Sequence, residues 1–375
     1  MKMFILGAAL LALPLAAFLA FAATTGADSA SAVSDYKLLE PITHGDLTVF
    51  PVVSAKTHDT SGFLTLDEGI RSGEVVVTEA GNLHATMQRR PTQQRYTGAQ
   101  VNTLVLVNNS QRPLILLAGE IVTGGKQDRV VGKDRIVPAE SDPVDLGVFC
   151  VEPHRWVESS AKFDTHASVM AQPSVRKKAM VDKDQGQVWA EVNNAKSAMS
   201  ASVVAAPPSV AGGGSTAEIA AATRQLDSTS SYAKARENSV VEKQVEAITE
   251  PMQKSYESLI RQLRNQNAVG VVVAVKGRIV WADLFASTSL LGKYWPKLLQ
   301  SYAAEALTTS GDRRDVSVKE AQAFLDNWQS RHETVDSEPG LYRQRELVGD
   351  RFRAFELTSL LPKAAFDVHL SKMAE

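Results

Sequence analysis

The sequence predicts an α+β fold with a strand-rich N-terminal part, a helical middle, and a β-hairpin followed by helices and C-terminal strands. Three observations carry this. Short β-branched runs crowd the first third of the chain, as in Leu47–Val53 and Glu74–Ala80. Val241, Val245, Ile248, Met252, Leu259 and Leu263 recur at helical spacing farther on. Strands and helices are segregated rather than regularly alternating, so a doubly wound parallel sheet is not expected.

The elements follow in order. The first 32 residues are set apart from the fold. Lys2 precedes an apolar run, Met3–Ala23, and two A-x-A sites follow, Ala20-Phe21-Ala22 and Ala30-Ser31-Ala32. That pattern reads as a secretory signal peptide, with an uncleaved N-terminal membrane anchor as the alternative. Residues 33–372 are then expected to form one α+β domain. Leu47–Val53 is a strand interrupted by Pro51. Thr65 and Glu68 form a capping box, which starts a short helix. Val101–Val107 and Leu114–Ala118 flank Asn108-Asn109-Ser110-Gln111 and read as a hairpin. Pro143–Glu152 closes the strand-rich part.

Residues Ser168 to Asn194 favour helix. The stretch at about 197–231 is rich in Ala, Ser and Gly, with Pro207-Pro208 and Gly212-Gly213-Gly214 inside it. Its composition predicts a flexible loop inserted in the domain. Tyr232–Gln266 predicts one long helix, with Pro251 as a kink point. Val271–Val275 and Arg278–Ala282 flank Lys276-Gly277, a two-residue hairpin signature. The segment SLLGKYWPKLLQSYAAEAL predicts an amphipathic helix, and Ser317 with Glu320 caps another. The tail, Glu333–Leu370, returns to strands.

Composition bounds the function. Of 375 residues, 44% are hydrophobic and 22% charged, which is ordinary for a globular protein. The formal net charge of −2 gives no electrostatic case for nucleic acid. Cys150 is the single cysteine, so no internal disulfide can form. A secreted or periplasmic protein without stable membrane insertion after signal cleavage is the expected setting.

Two stretches are candidates for chemistry. The Gly124-Gly125 bend is followed by Lys126, Gln127, Asp128 and Arg129. Successive amides at such a bend can cradle an anion, with Lys126 or Arg129 adding charge. The plainer reading is a hairpin whose charges face water. In VFCVEPHRW, Glu152, His154, Arg155 and Trp156 leave a strand end together, where side chains can line a cleft. Glu120, Glu152 and His154 are the candidate acid–base residues. Gly124, Gly125, Lys126, Gln127, Arg129, Arg155 and Trp156 are the candidate ligand-binding residues. Cys150 as a nucleophile with His154 as base is the sharper alternative, but its apolar surroundings favour a buried thiol. The histidines form no HExxH or HxH pair, and no metal site or cofactor is assigned. Trp281, Asp283 and Trp295 read as core, with a pocket wall as the alternative.

Three segments together carry a family resemblance: ILLAGEIVTGGKQDRVV (Ile115–Val131), VFCVEPHRW (Val148–Trp156) and GVVVAVKGRIVWADLFAS (Gly270–Ser287). They resemble the ARG-and-rhodanese-phosphatase-superfamily-associated protein domain, over about Tyr36 to Ser371. The resemblance implies, by association alone, a role near ADP-ribose or nucleotide chemistry. It carries over no catalytic residue. The expected function is a non-catalytic ligand-binding or protein-interaction module, its partner an anionic small molecule or an envelope protein. The alternative is a hydrolase acting on a phosphate- or ribose-bearing ligand.

Overall fold

A computed structural model describes residues 35–80, 103–155, 158–206, 215–263 and 266–375. The α+β expectation holds. The expected signal segment lies outside the described residues.

The largest layer is a nine-stranded antiparallel sheet. Its strands run in the order Tyr36–Leu38, Leu47–Ser54, Asn267–Val275, Arg278–Phe285, Ala364–Ala374, Phe352–Leu361, Tyr342–Gly349 and Ser330–Glu338. Ile42–His44 pairs separately with Leu47–Ser54. Eight consecutive buried positions make Leu47–Ser54 a central strand, registered against the hairpin at Val52↔Gly270 and Val49↔Val273. The first and last parts of the chain therefore share one sheet. The predicted hairpin forms, and both turn residues have positive φ, 50° at Lys276 and 74° at Gly277, as a tight two-residue turn requires. The predicted tail strands and both capping boxes are also present.

The second layer is a closed six-stranded barrel built from Val75–Glu79, Thr103–Asn108, Glu120–Gly124, Arg129–Val131, Val144–Cys150 and Lys162–Met170. Alternate residues Val75, Val77, Leu104, Leu106, Leu146 and Val148 fill one buried cluster with Val122, Val131 and Phe163. A barrel this narrow is a packed core rather than a pore. One sequence expectation fails here. The run before Asn108 and the run after it do not pair as a hairpin. Thr103–Asn108 stays in the barrel, whereas Leu114–Leu116 joins a small sheet with Arg135–Val137 and Leu64–Thr65. The reason is local: the Asn108 amide donates to the carbonyls of Arg112 and Pro138, fastening a wide turn that carries the chain out of the barrel.

Three further expectations are corrected among the helices. Thr288–Thr308, read as amphipathic, is buried on nearly all sides, including Tyr294, Trp295, Lys297, Leu298, Tyr302 and Glu305. It is the central helix, packed against strands of both the sheet and the barrel. Each of its fully buried large apolar side chains contributes roughly 1.5–3 kcal/mol. The stretch expected as a loop over 197–231 is largely helical. One helix, Gln185–Ala205, runs through its start, and a second, Thr216–Ser228, follows. Alanine is the best helix former, Ser215 and Glu218 make a capping box, and Ala195, Met199, Val203, Ala222 and Leu226 supply a buried stripe. Residues 207–214, which hold the Pro-Pro and Gly-Gly-Gly runs, lie outside the described residues. The long helix predicted from Tyr232 begins instead at Ser239, because Asn238 accepts from the amides of Val240 and Val241 and caps it there.

Candidate functional site

The Gly124-Gly125 bend closes a barrel hairpin in which Ile121 pairs with Val130 and Val122 with Arg129. Both glycines have positive φ, and the surroundings leave no room for a side chain. A Cβ on Gly124 would lie 2.6 Å from Ser160 Oγ and 2.8 Å from the Lys162 carbonyl oxygen, and one on Gly125 would strike the Phe163 ring. The bend is thus pinned against the neighbouring barrel strand.

The end of the cysteine-bearing strand meets this corner. Arg155 donates from Nη1 to the Gly125 carbonyl at 3.1 Å, and its Nη2 lies 2.6 Å from Glu152 Oε2 and 3.5 Å from Asp128 Oδ1. Glu152 also accepts from the Asp128 amide at 3.1 Å, while Gln127 Nε2 donates to the Glu152 carbonyl at 2.8 Å. Ser231 Oγ donates to Asp128 Oδ2 at 2.6 Å, tying in the short helix Tyr232–Arg236. Burial raises the Asp128 carboxyl, opposed by the Ser231 hydroxyl and reinforced by Glu152. The hydrogen bond to Glu152 holds the Arg155 guanidinium in its charged form.

This arrangement corrects both sequence readings of the bend. It is a hairpin, but Asp128 and Arg129 do not face water: both are buried, as is Gln127, and Lys126 is half-buried. Nor do its amides form an open anion cradle, because the amide of Gly124 donates to Asp128 Oδ1 and that of Lys126 to Glu79 Oε1. Arg129 is fully buried 3.7 Å from Glu79 and donates to the Gln127 carbonyl at 2.5 Å. A buried cation needs such partners before any ligand arrives.

A cleft of ≈ 360 Å³ opens beside the corner. Gly124, Asp128, Arg155, Ser159 and Ser160 form one wall, and Lys234 and Glu237 the other. Gly124, Gly125, Gln127, Asp128, Glu152 and Arg155 are therefore brought together. Other candidates are not. Glu120 is buried elsewhere, with Oε1 2.5 Å from Lys297 Nζ, which also contacts Asp67 at 2.7 Å. Burial raises the Glu120 carboxyl, while Lys297 opposes that shift. His154 is exposed, with a φ of 74°. Trp156 lies outside the described residues. Cys150 is fully buried, and desolvation pushes its thiol up to about 11, opposite to what a nucleophile needs. Among the described residues, no group of three or more His, Cys, Asp or Glu is placed to hold a metal ion.

The sequence reading missed a second polar centre, wholly inside the protein. Arg176 binds Asp283 with both terminal nitrogens, at 3.0 and 3.3 Å, and lies 4.4 Å over the Trp281 ring. Tyr302 and Trp281 also donate to Asp283. His369 bridges Asp283 and Asp134, and Asp134 accepts from the Ala118 amide at 2.7 Å. The available signal was a single charged residue at a buried strand position, Asp283 in IVWADLF and His369 in FDVHLSKM. Spacing alone does not reveal that these positions face each other.

The model of the ARG and Rhodanese-Phosphatase-superfamily-associated Protein domain matches residues 35–373. The chain belongs to that family. No curated protein and no solved structure matches it.

Proposed function

We propose that this family member is a non-catalytic binding module whose ligand occupies the cleft at the Gly124–Arg155 corner. One observation supports the reading: Gly124 and Arg155, two of the residues expected to bind, line a concave surface with Asp128, and Arg155 and Asp128 are already paired with groups of the chain. Carboxylates held by Arg155, Ser231 and backbone amides are poor proton shuttles but good fixed recognition points. The lining also selects a ligand. Asp128, Asp164 and Glu237 outnumber Arg155 and Lys234, and Thr123, Ser159 and Ser160 add hydroxyls. That wall suits a hydroxyl-rich, neutral or amine-bearing small molecule better than the anion expected from sequence.

A thermal-shift panel of neutral saccharides, amino sugars and sugar phosphates tests this. A binder present at about 100 times its Kd adds about 2.7 kcal/mol of stability. The expected hits are neutral or amine-bearing sugars, and the shift falls in Asp164→Asn, a change at an exposed wall position. Stabilisation by sugar phosphates alone, or a silent panel, counts against the reading. Turnover of a hit that is lost in Glu152→Gln would replace it with the hydrolase alternative.

The proposal includes export, with residues 1–32 acting as a removable signal. Among the described residues, no helix is long and apolar enough to cross a membrane. Mass spectrometry of the exported chain decides the point: a mature N-terminus after Ala22 or Ala32 is expected, and an intact Met1 on membrane-bound material contradicts it.

A further inference from the structure

A second and larger cleft, ≈ 890 Å³, lies on another part of the molecule and falls within the size range of small-molecule sites. It is bounded by Pro173–Lys177, the outer end of the Arg278–Phe285 strand, helix Val318–Asp326 and the last residues of the chain. Its electrostatics are the reverse of the corner's. Lys177, Arg278, Arg314 and Arg351 line it, and none of the four forms an ion pair with a carboxylate of the described residues. Lys177 donates to the Ala374 carbonyl at 3.2 Å and Arg314 to the Gly277 carbonyl at 2.9 Å. Those bonds orient the two side chains without neutralising them.

Two acids line the same cleft, and among the described residues neither forms an ion pair with the four cations. Glu375 is engaged by Arg353 at 3.0 Å. Glu305 is buried and accepts at Oε2 from the Ser174 amide and hydroxyl and from Gln172. Burial raises the Glu305 carboxyl, opposed by the hydrogen bonds from Ser174 and Gln172. Half-buried Ile279, Val280 and Phe324 add an apolar wall. Four cations without an ion-pair partner among the described residues, around a single concavity, leave a positive field that a ligand can satisfy.

We propose that this cleft binds an organic phosphate carrying a ring, its anionic end held by Lys177, Arg278, Arg314 and Arg351 and its ring against Ile279, Val280 and Phe324. A bare phosphate would leave most of the volume and the apolar wall unused. A neutral ring compound would leave the cations unpaired.

Calorimetric titration of the full chain with AMP, phenyl phosphate and adenosine tests the proposal. Saturable binding of both phosphates is expected, with adenosine at least about tenfold weaker, since it lacks the anion that would take the charge-assisted hydrogen bonds. Raising the salt should weaken the phosphates but not adenosine. Arg278→Gln and Arg351→Gln each remove an exposed side chain with no hydrogen-bond or ion-pair partner among the described residues, so the fold is retained. Each should weaken AMP by about tenfold. Asp164→Asn, at the other cleft, should leave AMP binding unchanged, so failure here is distinguishable from failure of the corner reading. Absence of saturable phosphate binding, affinity undiminished in the double arginine variant, or adenosine binding as tightly as AMP would each overturn it.

Discussion

His369 Nδ1 lies 2.6 Å from Asp134 Oδ2, and neither side chain touches solvent. The contact joins the C-terminal strand of the large sheet to the loop that leaves the barrel after Val131. Nε2 of the same ring reaches Asp283 at 3.1 Å, and Asp283 holds Arg176. With His369 protonated, charges alternate along the chain Asp134, His369, Asp283, Arg176. Buried ions persist only when they are paired and hydrogen-bonded in this way. The network therefore locks sheet, barrel and the first helical turn after the barrel to one another.

Stability should fall as the pH rises through the His369 transition. Burial alone would lower this imidazolium's pKa, but Asp134 and Asp283 outweigh it and lift the value to about 9, from an ordinary 6.5. A folded pKa above the unfolded one gives stability that is fully present below 6.5 and lost as the pH passes 9. The shift corresponds to about 3 kcal/mol. Urea unfolding across that interval should show the decline; a flat profile, or a His369 ring signal titrating near its ordinary value, would contradict it.

Removing the central acid should be severe. Asp283→Ala strips Arg176, His369, Tyr302 and Trp281 of a shared acceptor, and the Asp283 carboxyl is held well below the usual range, against its own desolvation, by Arg176 and His369. Breaking a buried pair from one side costs about 3–5 kcal/mol. Denaturant midpoints measure this directly, and a loss below about 1 kcal/mol would show that the network is not needed for stability.

Gly119 is where the backbone makes way for Arg176. Its φ is +94°, and an added Cβ would lie 2.6 Å from Arg176 Cγ and 2.7 Å from Cδ and Nε. Gly119→Ala should destabilise by about 2–4 kcal/mol, combining strain and overpacking. Gly311 provides the control, with a φ of +108° and no atom within 4 Å of the place an added methyl would take. Gly311→Ala should show the strain alone, so equal losses at the two sites would remove the clash from the explanation.

Cys150 should resist thiol reagents in the native state. Burial raises its thiol to about 11, so little thiolate exists at neutral pH. One thiol per chain should react only after unfolding, since no other cysteine is present. Complete labelling of the native protein within the mixing time would be inconsistent with the buried position.

Local chemistry was readable wherever its cause lay within a few residues. Thr65 with Glu68, Ser317 with Glu320 and Lys276-Gly277 each specify a cap or turn by themselves, and all three form as read. The alanine-rich stretch misled because its flexibility was inferred from composition, while the buried partners of Met199, Val203 and Leu226 lie on other helices. The central helix misled for the same reason. Its polar residues Lys297 and Glu305 do not form a wet face, because Asp67, Glu120 and Ser174 meet them inside.

The sequence by itself determined the α+β class, the segregation of strands and helices, the family, and the corner at Gly124-Gly125 as a place where polar residues gather. Tertiary structure alone decided which charges are already satisfied. Arg155 and Arg129 are consumed by acids of their own chain, whereas Arg278 and Arg351 meet no acid among the described residues. The physical reason is that an ion's availability depends on neighbours within a few ångströms in space. Those neighbours are often more than a hundred residues away along the chain, as Asp283 is from Arg176.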